Sequence, residues 1–176
     1  IPVIGVGAYF GAKYITNNNK NKQKDTLPVV APNINENKKE YIGGYEVLGS
    51  IEFSSLGINV KVLNSNIEGT NYINDALEYG AVLYYGEGLN EMGNTTVIAH
   101  NDANNFFNLN QAEVDAEFTV TDESGLATTY TIIEKKSVQP DDLSVLLPME
   151  ESSREITLIT CDEAGTERLV IKAISK

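Results

Sequence analysis

The feature that most constrains this chain is a rhythm. Short runs of apolar and β-branched residues recur from Tyr41 onward, each closed off by glycine or polar turn residues. They occupy 47–53, 58–63, 81–85, 95–99, 117–121, 128–135, 156–161 and 168–174. Runs of this length, rich in Val, Ile, Thr and Tyr, read as strands. Gly49, Gly57, Gly69, Gly93, Gly125 and Gly165 fall between or beside them. Only 71–77 and 141–147 suit short helices. So many strands with so little helix predict a mainly β fold, an eight-stranded closed β-barrel carrying one or two short helices.

Upstream of Tyr41 the rhythm is absent. Residues 1–16, IPVIGVGAYFGAKYIT, are apolar and rich in small side chains. A bilayer span needs about 20 such residues, so the stretch reads either as the remnant of an N-terminal membrane anchor or as a first amphipathic helix. Residues 17–40 are Asn- and Lys-rich with Pro28 and Pro32, the composition of a polar linker. Residues 41–176 then form one domain, and no internal repeat is visible.

Charge and composition exclude several functions. The chain of 176 residues has a formal net charge of −12. Residues 1–40 hold six Lys against three Asp or Glu, so the domain itself is at −15. So acidic a domain is a poor partner for nucleic acid, whose phosphates call for Lys and Arg. Solubility is the plain reading of the acidity and calcium binding the sharper one. One Cys forbids an internal disulfide, and one Cys with one His forbids a four-ligand Cys/His zinc site. There is no phosphate-cradling GxxxxGK[ST] and no GxGxxG.

The single cysteine sits in EITLITCDEAGTERLVIKA, residues 155–173. Strand alternation puts Thr157, Ile159 and Cys161 on one face and Ile156, Leu158 and Thr160 on the other. DEAGTE is a polar turn, and Arg168, Val170 and Lys172 share a face beyond it. A loop of this length joins antiparallel neighbours, with Cys161 ending one strand and Arg168 opening the next. Directly paired residues lie about 4.5–5.5 Å apart, so the hairpin brings a guanidinium beside the thiol and favours the thiolate. A lone strand cysteine is also a common small core residue, and the hairpin alone leaves both readings open.

His100, the only histidine, closes GNTTVIAHND, again where an apolar run meets polar residues. Imidazole near a thiol stabilises thiolate and delivers a proton to a leaving group. A single His is equally read as a surface residue.

TLITC at 157–161 with Arg168 in ERLVIKA closely resembles the signature of sortases, the cysteine transpeptidases of Gram-positive surfaces. GNTTVIAH resembles the strand that ends in their catalytic His. FFNLNQAEVDAEFTV, VQPDDLSVL and LGSIEFSSLGINVKVL resemble further segments, so the likeness covers 47–174. Sortases commonly carry Gly immediately before the His, whereas here Ala99 does. A strand one residue short turns its next side chain to the other face.

The resemblance implies a sortase-type barrel of class A or a related class. It implies that Cys161 is the nucleophile, His100 the acid–base and Arg168 the donor to the oxyanion. Ala99, Val145, Leu146, Ile159 and Thr160 are implied to line a groove for an LPXTG-like sorting signal of a surface protein. The acyl acceptor would be an amine of a cell-wall precursor or a pilin lysine. No cofactor or metal is required. Calcium is an option, for which Glu68, Asp141 and Glu151 are conceivable ligands. The implied location is the extracellular face of the membrane, through one N-terminal anchor. A non-catalytic surface-binding barrel and a cysteine hydrolase are the alternatives.

Overall fold

A computed structural model of the chain describes residues 39–149 and 153–176. Residues 1–16, expected as the remnant of an anchor or as a first helix, and nearly all of the expected linker at 17–40 therefore lie outside the described residues.

The strands are β1 (Tyr41–Ile42), β2 (Tyr45–Phe53), β3 (Ile58–Leu63), β4 (Asn66–Ile67), β5 (Thr70–Asn71), β6 (Ala81–Tyr85), β7 (Gly93–Ile98), β8 (Glu117–Asp122), β9 (Ala127–Val138), β10 (Arg154–Cys161) and β11 (Arg168–Ser175). One short helix, α1 (Ile73–Ala76), follows β5. Three 3-10 turns occupy Ser54–Leu56, Phe107–Gln111 and Leu143–Leu146. The main sheet runs β1-β2-β3-β6-β7-β10-β11-β9-β8, and β2 also pairs with β8. The strands from β2 to β8 in that order thus close an eight-stranded barrel, as the sequence predicts. Bridging β2 to β8 requires Gly49: its φ is 149°, and a Cβ there would lie 2.0 Å from the carbonyl oxygen of Thr121.

Each alternating run becomes a strand, and β3 and β6 begin and end where the pattern places them. The helix expected over 71–77 is a single turn. The one expected over 141–147 is a 3-10 turn between Pro140 and Pro148. Only Val145 of that turn is buried, too little apolar surface to hold a longer helix. Asp142 caps it by accepting from the hydroxyl of Ser144 at 2.6 Å and from its amide at 3.0 Å, and these two bonds, the hydroxyl first, hold the Asp142 carboxyl below its usual range.

Two apolar clusters follow from strand phase. Inside the barrel, Ile51, Val62, Val97, Val120, Ile132, Leu158 and Ile171 are fully buried. Phe118 stacks on Phe53 and Tyr130, with ring centroids at 5.5 and 5.9 Å. One residue further along their strands, Leu63, Val82 and Ile98 point outward instead. With Tyr45 and Val47 they seat Ile73, Ala76 and Leu77 of the α1 region. The hydroxyl of Tyr45 donates to Asp75 at 2.6 Å and ties α1 to β2. This second cluster puts α1 beside the ends of β7 and β10.

Candidate active site

Cys161 and Arg168 are directly opposed across the β10–β11 hairpin, the last of seven consecutive antiparallel pairs. The turn between them is held from within. Asp162 and Glu167 exchange backbone and side-chain bonds: the Asp162 amide donates to the Glu167 carbonyl at 3.1 Å, and the Glu167 amide donates to Oδ1 of Asp162 at 3.0 Å. That amide holds the Asp162 carboxyl below the usual carboxylate range. Gly165 supplies the positive φ of 74° at the tip. The pairing anticipated from the sequence is therefore a fixed property of the loop.

His100 reaches the same place by another route. β7 and β10 are parallel neighbours, and every pair from Arg154↔Gly93 to Ile159↔Ile98 keeps one offset. The ladder continues beyond the strand: the Ala99 amide donates to the carbonyl of Ile159 at 3.1 Å, and Thr160 Oγ1 donates to the Ala99 carbonyl at 2.9 Å. His100 follows directly, just beyond the end of β7, and lines the same cleft as Cys161. Ala99 is buried and belongs to the barrel interior, so the next residue faces outward, as Cys161 does. The phase of β7 is unbroken as far as Ile98, and Ala99 continues it into the interior.

The polar surroundings are sparse. Cys161 is a free, half-buried thiol. Nε2 of His100 lies 4.0 Å from Oε1 of Glu78, both side chains exposed. Asn101, next in sequence, donates from Nδ2 to the Cys161 carbonyl at 3.1 Å and so joins the two strand ends. Its Oδ1 is buried without a partner among the described residues. Arg168 gives one bond, from Nη1 to the Glu167 carbonyl at 3.1 Å, and pairs with no carboxylate among the described residues.

Two adjoining cavities meet at these residues. One is a cleft of about 780 Å³ lined by His100, Cys161, Arg168, Ala99, Ile159 and Thr160, with Tyr72, Asn74, Asp75 and Leu77 forming the α1 wall. The other, about 200 Å³, is lined by Val145, Leu146, Leu143, Pro140 and Gln139. Both are bounded by Tyr84, Ile98, Ile159 and Arg168. The expected catalytic residues Cys161, His100 and Arg168 and the expected groove residues Ala99, Val145, Leu146, Ile159 and Thr160 each line one or both. Ala99 and Thr160 do so from beneath, being nearly fully buried, while Ile159 is the shared floor. The α1 wall, Tyr84, Ile98 and Asn101 were not singled out. An Asn directly after the His was the one sequence signal available for them.

Of the conceivable calcium ligands, Glu68 lies in the β4–β5 turn and Asp141 beside the 3-10 turn, while Glu151 is outside the described residues. Among the described residues, no three His, Cys, Asp or Glu side chains cluster to hold an ion. Nor is any helix there long and apolar enough to cross a membrane.

A sortase domain model matches residues 51–175. Among solved structures, a lid mutant of sortase A from Corynebacterium diphtheriae is 24% identical, with a TM-score of 0.63 over 75% of this chain and 71% of that one. The sortase C2 of pilus island 1 of group B Streptococcus is 22% identical, with a TM-score of 0.64 over 74% of each chain. A sortase D5 transpeptidase of Clostridium perfringens is 22% identical, with a TM-score of 0.62 over 74% of this chain and 79% of that one. At these identities the likeness is one of fold. Among curated proteins, none matches the chain.

Proposed function

The chain belongs to the sortase family, and from that premise we propose that it is a cysteine transpeptidase acting on an LPXTG-like sorting signal. The observation that carries this reading is the meeting of three strand ends. Cys161 and Arg168 are paired in register, His100 follows the end of the neighbouring strand β7, and all three line one cleft.

In the first step the Cys161 thiolate attacks the carbonyl carbon of the signal's Thr. A C–S bond forms, and the carbonyl electrons move to oxygen. Arg168, with most of its N–H groups uncommitted, donates to that oxyanion. Collapse breaks the C–N bond, and the departing amine takes a proton from His100, leaving an acyl-thioester. In the second step an incoming amine attacks the thioester and gives its proton to His100. The thiolate leaves, and a new amide results. Protons and electrons balance without a redox partner or cofactor.

The apolar cavity formed by Val145, Leu146, Leu143 and Ile159 suits the apolar part of the signal, and its neighbour opens onto His100 for the amine. The acceptor is a cell-wall precursor or a pilin lysine. The place of action is the extracellular face of the membrane, through an N-terminal anchor of which residues 1–16 would be the remnant. The unbroken β7–β10 register speaks against a binding barrel with a misaligned dyad.

Incubating the chain with a labelled sorting peptide and a small amine tests the proposal. Amine-dependent ligation is the expected product. Cleavage to the free acid at the same rate with and without amine would make the chain a hydrolase. The absence of both products would overturn the enzymatic reading.

A further inference from the structure

The outer faces of β7, β10 and β11 carry polar residues that alternation would leave in water. Instead Asn94, Glu155, Thr157 and Lys172 are 0–7% exposed. What covers them is the segment 143–149, and they bind its backbone almost atom by atom. Nδ2 of Asn94 donates to the carbonyl of Leu146 at 2.9 Å and to that of Val145 at 3.4 Å. Nζ of Lys172 donates to the carbonyl of Leu147 at 2.9 Å. Oε2 of Glu155 accepts from the amide of Met149 at 2.7 Å. Beneath them Thr157 Oγ1 donates to Oδ1 of Asn94 at 2.8 Å and fixes the orientation of that amide.

Three consecutive carbonyls and one amide are thus held by the barrel wall rather than by the segment itself, whose own structure is one 3-10 turn. Val145 is the segment's one buried apolar side chain among the described residues, while Leu143 and Leu147 remain more than 60% exposed, so apolar burial supplies only a small part of its docking. Buried polar groups are costly unless fully bonded, and a fully bonded network fixes one geometry. The same segment supplies Leu143, Val145 and Leu146 to the cavity that shares Ile159 and Arg168 with the thiol's cleft.

We propose that Asn94 and Lys172 are positioning residues: they set segment 143–149 as the wall of the signal groove, and so govern peptide affinity rather than the chemistry of the thiol. The proposal rests on that cavity being the signal groove.

Two variants test it, Asn94→Ala and Lys172→Met, the second keeping the buried stem and removing the donor. Amide hydrogen exchange is followed at Leu147 and Met149, with amides of β10 and β11 as the reference. It is expected to quicken about 10-fold or more at the segment alone, because its anchors are lost while the barrel remains. With the labelled peptide, KM is expected to rise about 10-fold or more while kcat stays within about 3-fold. Alkylation of Cys161 by iodoacetamide should stay within about 2-fold of wild type, a readout that general loosening of the barrel would move. If Asn94→Ala does not fold, Lys172→Met carries both measurements. Unchanged exchange at the segment overturns the anchoring. Faster exchange with an unmoved KM overturns the role in recognition. A wild-type chain that processes no peptide refutes the functional reading and the recognition role with it, while exchange still decides the anchoring.

Discussion

Replacing Arg168 is the perturbation whose size the structure fixes best. The residue stands opposite Cys161, outside the barrel core, and only one of its donors is used, by the Glu167 carbonyl. If the remaining fork serves the oxyanion, Arg168→Ala removes a donor worth about 2.7–4 kcal/mol. At about 1.4 kcal/mol per decade, that is a 10²- to 10³-fold fall in kcat. Arg168→Lys separates charge from geometry. It keeps the cation but loses the planar fork, whose fixed geometry lets one side chain hold the Glu167 carbonyl and still aim separate donors at the oxyanion. A loss of about 100-fold is therefore expected for Lys as well. Because Arg168 fills no core position, thermal unfolding should move by no more than a few degrees in either variant. The assay is steady-state transfer of a fluorescent sorting peptide to an amine, with iodoacetamide labelling of Cys161 in parallel. A Lys variant within about 3-fold of wild type would refute the bidentate argument. An Ala variant near wild type would remove Arg168 from the chemistry.

Three further perturbations probe other links. Ala99→Gly restores the residue sortases commonly carry, yet Ala99 is packed in the barrel interior and the register of β7 is unbroken as far as Ile98; the variant should lose about 1 kcal/mol in denaturant unfolding and gain no activity. Ile159→Ala strips the floor shared by both cavities; the side chain is half-buried, so at about 0.8 kcal/mol per buried CH₂ the loss of peptide contact should lower kcat/KM about 5- to 30-fold, while Leu158→Ala, one residue away but inside the barrel, should instead cost about 2–5 kcal/mol of stability. At alkaline pH the Tyr45 hydroxyl, bonded to Asp75, and the Tyr130 hydroxyl, held by burial, are both pushed up to about 12; their contribution to stability is complete below the unfolded value near 10 and is lost as pH rises toward 12, so Tyr45→Phe should lower Tm at neutral pH, where that contribution is complete, and flatten its alkaline fall until the two proteins converge near pH 12.

The barrel was legible because strand alternation and turn glycines are local signals, and β3 and β6 match them residue for residue. The Cys161–Arg168 pair was legible because a short polar loop leaves antiparallel neighbours little choice of register. The adjacency of β7 and β10 was not: they are parallel, and β8 and β9 intervene in the chain. Nothing local to GNTTVIAH states its register against β10. The buried outer face was hidden for a related reason. Alternation marks Thr157 and Lys172 as solvent-facing polar residues, and only the return of segment 143–149 over the barrel makes them interior. The cluster under α1 was concealed in the same way, since Leu63, Val82 and Ile98 extend apolar runs that a single-sided strand would interrupt.

The central claim is that Cys161 carries the acyl group. The direct measurement is the intact mass of the protein after brief exposure to sorting peptide without amine, quenched in acid and followed by peptide mapping. The account predicts an adduct equal to the acyl fragment, confined to Cys161, discharged by hydroxylamine or added amine and absent from Cys161→Ala. An adduct that forms on the Ala variant, or a wild type that turns peptide over while Cys161 remains unmodified and open to alkylation, would contradict it.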